Sequence, residues 1–195
     1  MSWQALLPFS SWDLWWYSMK YYAGIGSRET PKDILEVMTR FAGYAESKYL
    51  TLRSGHAGGA DLAFERGVHN AGMMQIFLPW NGFNGAYGNQ TGYTVGFKTP
   101  AIEAQAEKLA EQLHPAWDMC SQGARKMHTR NMAQILGPDL NTPVEFVVCW
   151  TLNASGAGGT GQALRLAHHL QIPVFDLGGD LMAVCHALKD YTDRL

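Results

Sequence analysis

Cysteine and charge are both scarce in this sequence. The 195-residue chain has three cysteines, Cys120, Cys149 and Cys185, which are widely spaced and form no CxxC pair. Separated cysteines in odd number argue against a disulfide framework and indicate free thiols in a reducing compartment. Charged residues make up 16% of the chain and the formal net charge is -2, so no overall positive field would attract a phosphate polymer. Apolar residues reach 47%, which is the balance of a globular protein.

Long apolar runs are also missing, and no Lys or Arg precedes Lys20. The N-terminus is therefore neither a convincing signal peptide nor a membrane helix, and we expect a cytoplasmic protein without membrane contact. Residues 1–18 form a Trp-rich N-terminal extension, either an aromatic arm that packs on a partner subunit or a segment outside the domain. Residues 19–195 are predicted to form a single Rossmann-like nucleotide-binding domain.

From Lys20 onward, short apolar runs alternate with segments of helical periodicity, which is typical of βαβ units. The pattern predicts an α/β, Rossmann-like, doubly wound fold with a mainly parallel sheet of about five strands and helices on both faces. Residues 81–99 are rich in glycine and aromatics without a clear period, so they predict a long loop acting as a lid or wall. The predicted strands are 20–26, 49–55, 74–80, 144–151 and 171–177, and the predicted helices are 31–48, 60–72, 101–114, 120–137, 161–170 and 180–195.

The unusual stretches follow the predicted strands: GIGSRETP, RSGHAGGAD, PWNGFNG and WTLNASGAGGTG. In open α/β sheets, ligands bind beyond the carboxyl ends of the strands. A glycine-rich turn that runs into a helix exposes backbone N–H groups beside the positive end of the helix dipole, which suits a phosphate. The predicted ligand-binding residues are Gly26, Ser27, Arg28, Ser54, Gly55, Gly58, Gly59, Asp61, Trp80, Gly158, Gly159, Thr160 and Gly161.

Several familiar motifs are absent. The two glycine-rich turns, RSGHAGGAD and NASGAGGTG, do not end in the Gly-Lys-Ser/Thr of a Walker loop. GIGSRE lacks the last glycine of the dinucleotide fingerprint, and the sequence has no GxSxG nucleophile elbow. His168 and His169 are adjacent, so they point about 100° apart on a helix and cannot share one metal ion. With no Cys/His ligand spacing elsewhere, the sequence predicts no metal site and no cofactor.

Three stretches carry a family resemblance: GIGSRETP, RSGHAGGADLAFERG and GGTGQALRLAHHLQIPVFDL. They resemble the SLOG superfamily, which joins DprA-type DNA-processing proteins to LOG-type nucleotide phosphoribohydrolases, and the match over roughly residues 19–180 is closest to small phage-type DprA-like members. The resemblance implies a Rossmann-like domain that binds a nucleotide-derived ligand at its glycine-rich turns. It also implies a homo-oligomer.

LOG-type enzymes carry the motif PGGxGTxxE in their second glycine-rich turn. The glutamate of this motif takes part in cleaving the N-glycosidic bond of a nucleoside monophosphate. Here Gln162 stands at the Thr position and Arg165 at the Glu position. The favoured hypothesis is therefore a binding protein, a phage anti-defence protein that sequesters a nucleotide second messenger such as a cyclic ADP-ribose or a cyclic oligonucleotide. The alternatives are a nucleotide N-glycosidase that uses Glu29, Asp61 or Glu65, and a DprA-like protein that binds single-stranded DNA.

Two further groups of residues have open roles. The loop aromatics Phe83, Tyr87, Tyr93 and Phe97 could stack on a base or belong to the core. The cluster Arg125, Lys126, His128 and Arg130 shares only part of a helix face, so it could face a phosphate or the solvent.

Overall fold

The computed structural model describes residues 19–156 and 158–195. Within these ranges six strands form one parallel sheet in the order β4-β3-β2-β1-β5-β6. The strands are β1 (Lys20–Gly24), β2 (Leu50–Ser54), β3 (Met74–Leu78), β4 (Tyr93–Val95), β5 (Phe146–Cys149) and β6 (Val174–Asp176). The helices are α1 (Lys32–Ser47), α2 (Ala60–Gly67), α3 (Pro100–Leu113), α4 (Gln122–Leu136), α5 (Gly161–His169) and α6 (Leu181–Thr192). The predicted Trp-rich extension, residues 1–18, lies outside the described residues.

The sheet is covered by helices on both faces, as predicted. Alternate residues of a strand point to opposite faces, so Tyr22 of β1 packs in one core with α1, α2 and α6. Its neighbours Tyr21 and Ala23 pack in a second core with α3, α4 and α5. Strands buried on both faces explain the nearly continuous apolar runs in the sequence.

The chain reverses the direction of sheet growth at β1. Strands β2, β3 and β4 are added on one side of β1, and the chain then returns through α3 and α4 to place β5 on the other side. The backbone beyond the strands keeps this pairing, since the N–H of Ile25 donates to the carbonyl of Val148 at 3.1 Å. The gap between the carboxyl ends of β1 and β5 is thus the topological switch point of the sheet.

The predicted loop over residues 81–99 contains a strand. Residues Tyr93–Val95 form β4, which pairs in parallel with β3 at the edge of the sheet, so the sheet has six strands where the sequence predicted about five. Three residues are too few to show an alternating pattern. Because Gly92 and Gly96 flank them, the segment looked like the rest of the glycine-rich loop.

Helix α2 is shorter than predicted, because it ends at Gly67 and not at residue 72. A Cβ on Gly67 would lie 2.1 Å from the carbonyl oxygen of Thr39 in α1. This close approach presses α2 against α1 and sets the start of α2 beside the end of β1. None of the helices in the described ranges combines the length and the apolar character that a membrane span needs.

Candidate ligand-binding site

A cavity of about 560 Å³ opens at the switch point, beyond the carboxyl ends of β1 and β5. Its walls come from the turn after β1, the start of α2, the turn before α5 and one face of α4. This is the crevice in which open α/β sheets bind their ligands. The predicted residues that line it are Gly26, Ser27, Arg28, Asp61, Gly158, Gly159 and Thr160.

The turn after β1 is held against the start of α2. The carbonyl of Ser27 accepts a hydrogen bond from the N–H of Ala60 at 3.3 Å, and a Cβ on Gly26 would lie 2.6 Å from the Cβ of Ala60. The hydroxyl of Ser27 accepts from the N–H of Glu29 at 3.0 Å, which shapes the turn locally. Arg28 is exposed at the cavity wall, where a guanidinium can reach a bound anion.

Asp61 is a buried carboxylate at the wall of the cavity. Its Oδ2 accepts a hydrogen bond from the N–H of Ala57 at 3.3 Å, so it joins the first turn of α2 to the turn that precedes the helix. Burial raises the pKa of Asp61 to about 6, and Glu65 adds to the increase, while the cation of Arg130 opposes it. The site thus holds an acid that changes charge just below neutral pH.

Arg130 brings a buried positive charge to the same wall. Its Nη1 donates to the carbonyls of Gly55 and Phe77, the latter at 2.9 Å, which are at the ends of β2 and β3. Burial lowers the pKa of Arg130, and the nearby carboxylates of Asp61 and Glu65 oppose that decrease. Arg130 lines this cavity and also a second cavity of about 420 Å³, so its positive charge contributes to the electrostatic potential in both.

The turn before α5 is held by hydrogen bonds on two sides, from the end of β6 through Thr151 and from α4. Asp176 at the end of β6 accepts the N–H of Thr151 at 2.9 Å, and the Thr151 hydroxyl accepts the N–H of Gly156 at 2.9 Å. On the other side, the side-chain amide of Asn131 donates to the carbonyl of Gly159 at 3.4 Å. These contacts hold the turn from which Gly158, Gly159 and Thr160 line the cavity.

Gly158 and Gly159 combine two properties: they line the cavity, and the space where a Cβ would stand is open. A Cβ at either position would meet no atom within 4 Å, although both residues line the cavity. Gly158 has a φ of +77°, which favours glycine, but Gly159 has no such backbone requirement. No packing contact among residues 19–156 and 158–195 explains glycine at 159, whereas a ligand that approaches the backbone closely would.

The remaining predicted residues, Ser54, Gly55, Gly58, Gly59, Gly161 and Trp80, do not line this cavity. The buried hydroxyl of Ser54 donates to the carbonyl of Gly24 at 2.7 Å. A Cβ on Gly59 would lie 2.6 Å from the Ser27 oxygen, and one on Gly161 would lie 2.1 Å from the Gly156 oxygen. Packing within the chain accounts for these three residues without a ligand, and Gly58 has open space around it.

The loop aromatics are divided between the core and the surface. Trp80 is 36% exposed and packs edge-on against the buried ring of Phe83 at 5.3 Å. Tyr93 donates its hydroxyl to Glu65 at 3.1 Å, which ties β4 to α2. Phe97 lines a separate cavity of about 420 Å³ between the ends of β3 and α4. Stacking of Trp80 or Tyr87 on a base stays a prediction.

Sequence reasoning left the role of α4 open and counted none of its residues among the predicted ligand-binding residues. Met127, His128, Asn131 and Gln134 of α4 line the 560 Å³ cavity beside Arg130. The cluster around Arg125 is divided, because Arg125 and Lys126 face the 420 Å³ cavity. One feature of the sequence pointed to this role: the segment of α4 has few apolar residues, yet a sheet covered on both faces requires its helices to be partly buried. Buried polar side chains need polar partners or a ligand.

Of the carboxylates that could act in catalysis, Glu29 and Asp61 line the cavity. Glu65 does not line it, and its Oε2 lies 2.7 Å from Nδ1 of His56. Arg165, at the position of the LOG-type glutamate, is exposed and donates from Nε to the carbonyl of Leu113 at 2.7 Å. No carboxylate therefore stands at that position of α5.

No protein-family model and no curated protein matches this chain. Among solved structures, the chain is similar to DNA processing protein A from Helicobacter pylori, described for its single-stranded DNA binding mode, with a TM-score of 0.48 and 14% identity. The alignment covers 81% of this chain and 65% of that one, so the chain spans just under two thirds of that structure. A likeness at this level carries no argument about function.

Proposed function

We propose that this protein binds a nucleotide-derived small molecule in the 560 Å³ cavity, with a phosphate at the turn before α5. The observation that carries the proposal is Gly159, where glycine lines a cavity at the switch point of the sheet with no packing contact to require it. A missing side chain at such a position leaves the backbone free to approach a ligand.

The charges around the cavity suit an anion at this end. Gly158, Gly159 and Thr160, just before α5, and Ala163 in its first turn line the cavity, so the positive end of the helix dipole lies beside it. Arg28 and Arg130 stand on the facing walls. A phosphate between the α5 turn and Arg28 would receive charge-assisted hydrogen bonds, which are about twice as strong as neutral ones.

We infer that the ligand is held without being cleaved. The position of the LOG-type glutamate carries Arg165, whose side chain is turned toward Leu113. Combined with the SLOG resemblance, this supports a cytoplasmic, homo-oligomeric phage anti-defence protein that sequesters a nucleotide signal of the cyclic ADP-ribose or cyclic oligonucleotide type.

One observation favours an enzyme as the second candidate. Asp61 lines the cavity with its pKa raised to about 6, mainly by burial, and Glu29 is a second carboxylate that lines it. An acid with a pKa near the working pH and a nearby carboxylate could cleave an N-glycosidic bond.

A retention experiment separates these functions. Purified protein is incubated with adenine and guanine nucleotides, cyclic ADP-ribose isomers, cyclic dinucleotides and an oligothymidine, and each compound is followed by chromatography before and after heat denaturation. A nucleotide that leaves the free pool and returns intact supports the binding protein. A returned free base would identify an enzyme, retention of oligothymidine alone would identify a DNA-binding protein, and no retention of any compound would refute the proposal.

A further inference from the structure

Three potential metal ligands meet between α3 and α4, outside the phosphate end of the cavity. His114 follows the last residue of α3, Cys120 follows the short helical turn Trp117–Met119, and His128 lies in the second turn of α4. One ligand atom from each residue can be chosen so that all three atoms lie within 4.8 Å of one another. All three residues are partly buried.

The separation of Cys120 from His114 matches that of two ligands on one ion. The Sγ of Cys120 lies 3.7 Å from Nδ1 and 3.8 Å from Nε2 of His114. A tetrahedral zinc ion with bonds of about 2.3 Å to sulfur and about 2.05 Å to nitrogen places these ligand atoms about 3.6 Å apart. The imidazoles of His114 and His128 are also close, with ring centroids 4.4 Å apart.

The contacts within the chain leave this cluster incompletely satisfied. The Nδ1 of His128 is buried and, among the described residues, has no partner in standard hydrogen-bond geometry, although the side chain of Gln162 interacts with this imidazole. A buried polar atom without a partner costs about 1–3 kcal/mol, so it indicates a missing ligand. The sulfur of Cys120 contacts the carbonyl of Ala116 at 3.6 Å, and Nδ1 of His114 accepts the N–H of Ala116 at 3.2 Å, a weak pair of contacts that a metal would replace.

We propose that His114, Cys120 and His128 form a binding site for a divalent metal ion of the zinc type, with a fourth position open. A thiolate and two imidazoles select zinc or a similar borderline ion over calcium or magnesium. Binding forms one metal–sulfur and two metal–nitrogen bonds, and the thiol proton passes to solvent. His128 also lines the 560 Å³ cavity, and Cys120 lines the 420 Å³ cavity.

The sequence predicted no metal site, because His-x5-Cys-x7-His has no recognised ligand spacing. The fold creates the cluster by turning the chain between α3 and α4, which pack against each other. The short helical turn Trp117–Met119 brings Cys120 back toward His114, so the spacing along the chain does not show the spacing in three dimensions.

Cobalt substitution tests the proposal directly. The full-length protein is treated with chelator and titrated with Co²⁺, in the wild type and in Cys120→Ser and Cys185→Ser. We expect one equivalent to bind with the near-ultraviolet absorption of a cobalt–thiolate bond in the wild type and in Cys185→Ser, and loss of that absorption in Cys120→Ser. Absence of the absorption in the wild type, or its retention in Cys120→Ser, would overturn the site.

Zinc titration of His128→Asn and His186→Asn gives a second readout that does not depend on the cysteine. The His128→Asn variant should bind Zn²⁺ at least tenfold more weakly than the wild type, and His186→Asn should be unchanged. Circular dichroism shows whether each variant is folded. If folded His128→Asn bound zinc as tightly as the wild type, the histidine would not be a ligand and the proposal would fail.

Discussion

Arg130 and Gly55 share one space: a Cβ built on Gly55 would lie 1.5 Å from Nη1 of Arg130. The guanidinium occupies the volume that a side chain at 55 would need, and it donates to the Gly55 carbonyl. Gly55 was predicted as a phosphate-binding glycine, but the structure places a protein cation at this position. This contact fixes α4 over the end of β2 and brings a buried charge to the wall of the cavity.

Gly55→Ala should therefore destabilise the protein, because the new methyl group would displace Arg130 from its two carbonyl partners. Overpacking of this kind costs about 1–3 kcal/mol. The matched control is Gly58→Ala, since a Cβ there meets nothing within 4 Å. Urea unfolding gives the free energy of unfolding of the two variants. Equal values for Gly55→Ala and Gly58→Ala would contradict the proposed packing role of Gly55.

Gly159→Leu should leave the protein folded and weaken ligand binding, because a Cβ at this cavity-lining position meets no described atom within 4 Å. Gly58→Leu is the control, as position 58 is equally open but lies outside the cavity. We expect at least a tenfold loss of the retained nucleotide in Gly159→Leu only. Unchanged retention by a folded Gly159→Leu would show that the ligand does not bind against this turn.

Arg28→Ala should weaken binding of adenosine diphosphate by about tenfold, because one charge-assisted hydrogen bond contributes about 1.5 kcal/mol. Arg66→Ala removes the same charge from the exposed last turn of α2, outside the cavity, and should have little effect. Calorimetry at two salt concentrations measures both. A similar loss in the two variants would indicate a general effect of charge and not a contact.

Asp61 should make stability depend on pH in an unusual direction. Because its folded pKa is about 6, above the ordinary value of 3.8, the folded state holds the proton more tightly than the unfolded state. The contribution of Asp61 to the unfolding free energy therefore falls by up to about 3 kcal/mol as pH rises from about 4 to 6. Above about pH 6 this contribution stays constant. The Asp61→Asn variant lacks this titration.

The measurement is urea unfolding of the wild type and Asp61→Asn at pH 4.5, 5.5 and 7. The wild type should lose stability relative to the variant as pH increases. A difference between the two proteins that is the same at all three pH values would mean that the carboxylate titrates at its ordinary pKa in the folded protein.

Tyr93→Phe should loosen the edge strand β4. The hydroxyl of Tyr93 donates to Glu65 at 3.1 Å, and the variant removes one of the partners of that buried carboxylate. A loss of about 1 kcal/mol is expected. Tyr87→Phe is the control, because Tyr87 is 52% exposed. Thermal unfolding checks the stability, and faster hydrogen exchange at residues 93–95 in Tyr93→Phe alone would locate the effect.

The fold class was predictable from the sequence because each signal was local. Helix α1 buries Ile34, Met38, Ala42 and Ala45, which recur at helical spacing, and β5 is an apolar run that needs cover on both faces. The strand β4 could not be predicted in the same way. Its three residues become a strand only because β3 offers a free edge beside them.

The candidate site was predictable in part. Gly26 and Gly158, two of the residues predicted to bind a ligand, line one cavity, because the carboxyl ends of parallel strands lie at one edge of the sheet and the turns that follow them meet there. The pairing of Gly55 with Arg130 was not predictable, since the two residues are 75 positions apart and meet only through the packing of α4 on the sheet.

By itself, therefore, the sequence determined the α/β class, the alternation of strands and helices, and the glycine-rich turns that follow the strands, since periodicity and glycine content act over a few residues. Only the tertiary structure decided which of those glycines face a cavity, which carboxylate and cation are buried beside it, and that His114, Cys120 and His128 come together. These features depend on strand order and on helix packing, which bring together residues from separate segments of the chain, and no local pattern encodes such distances.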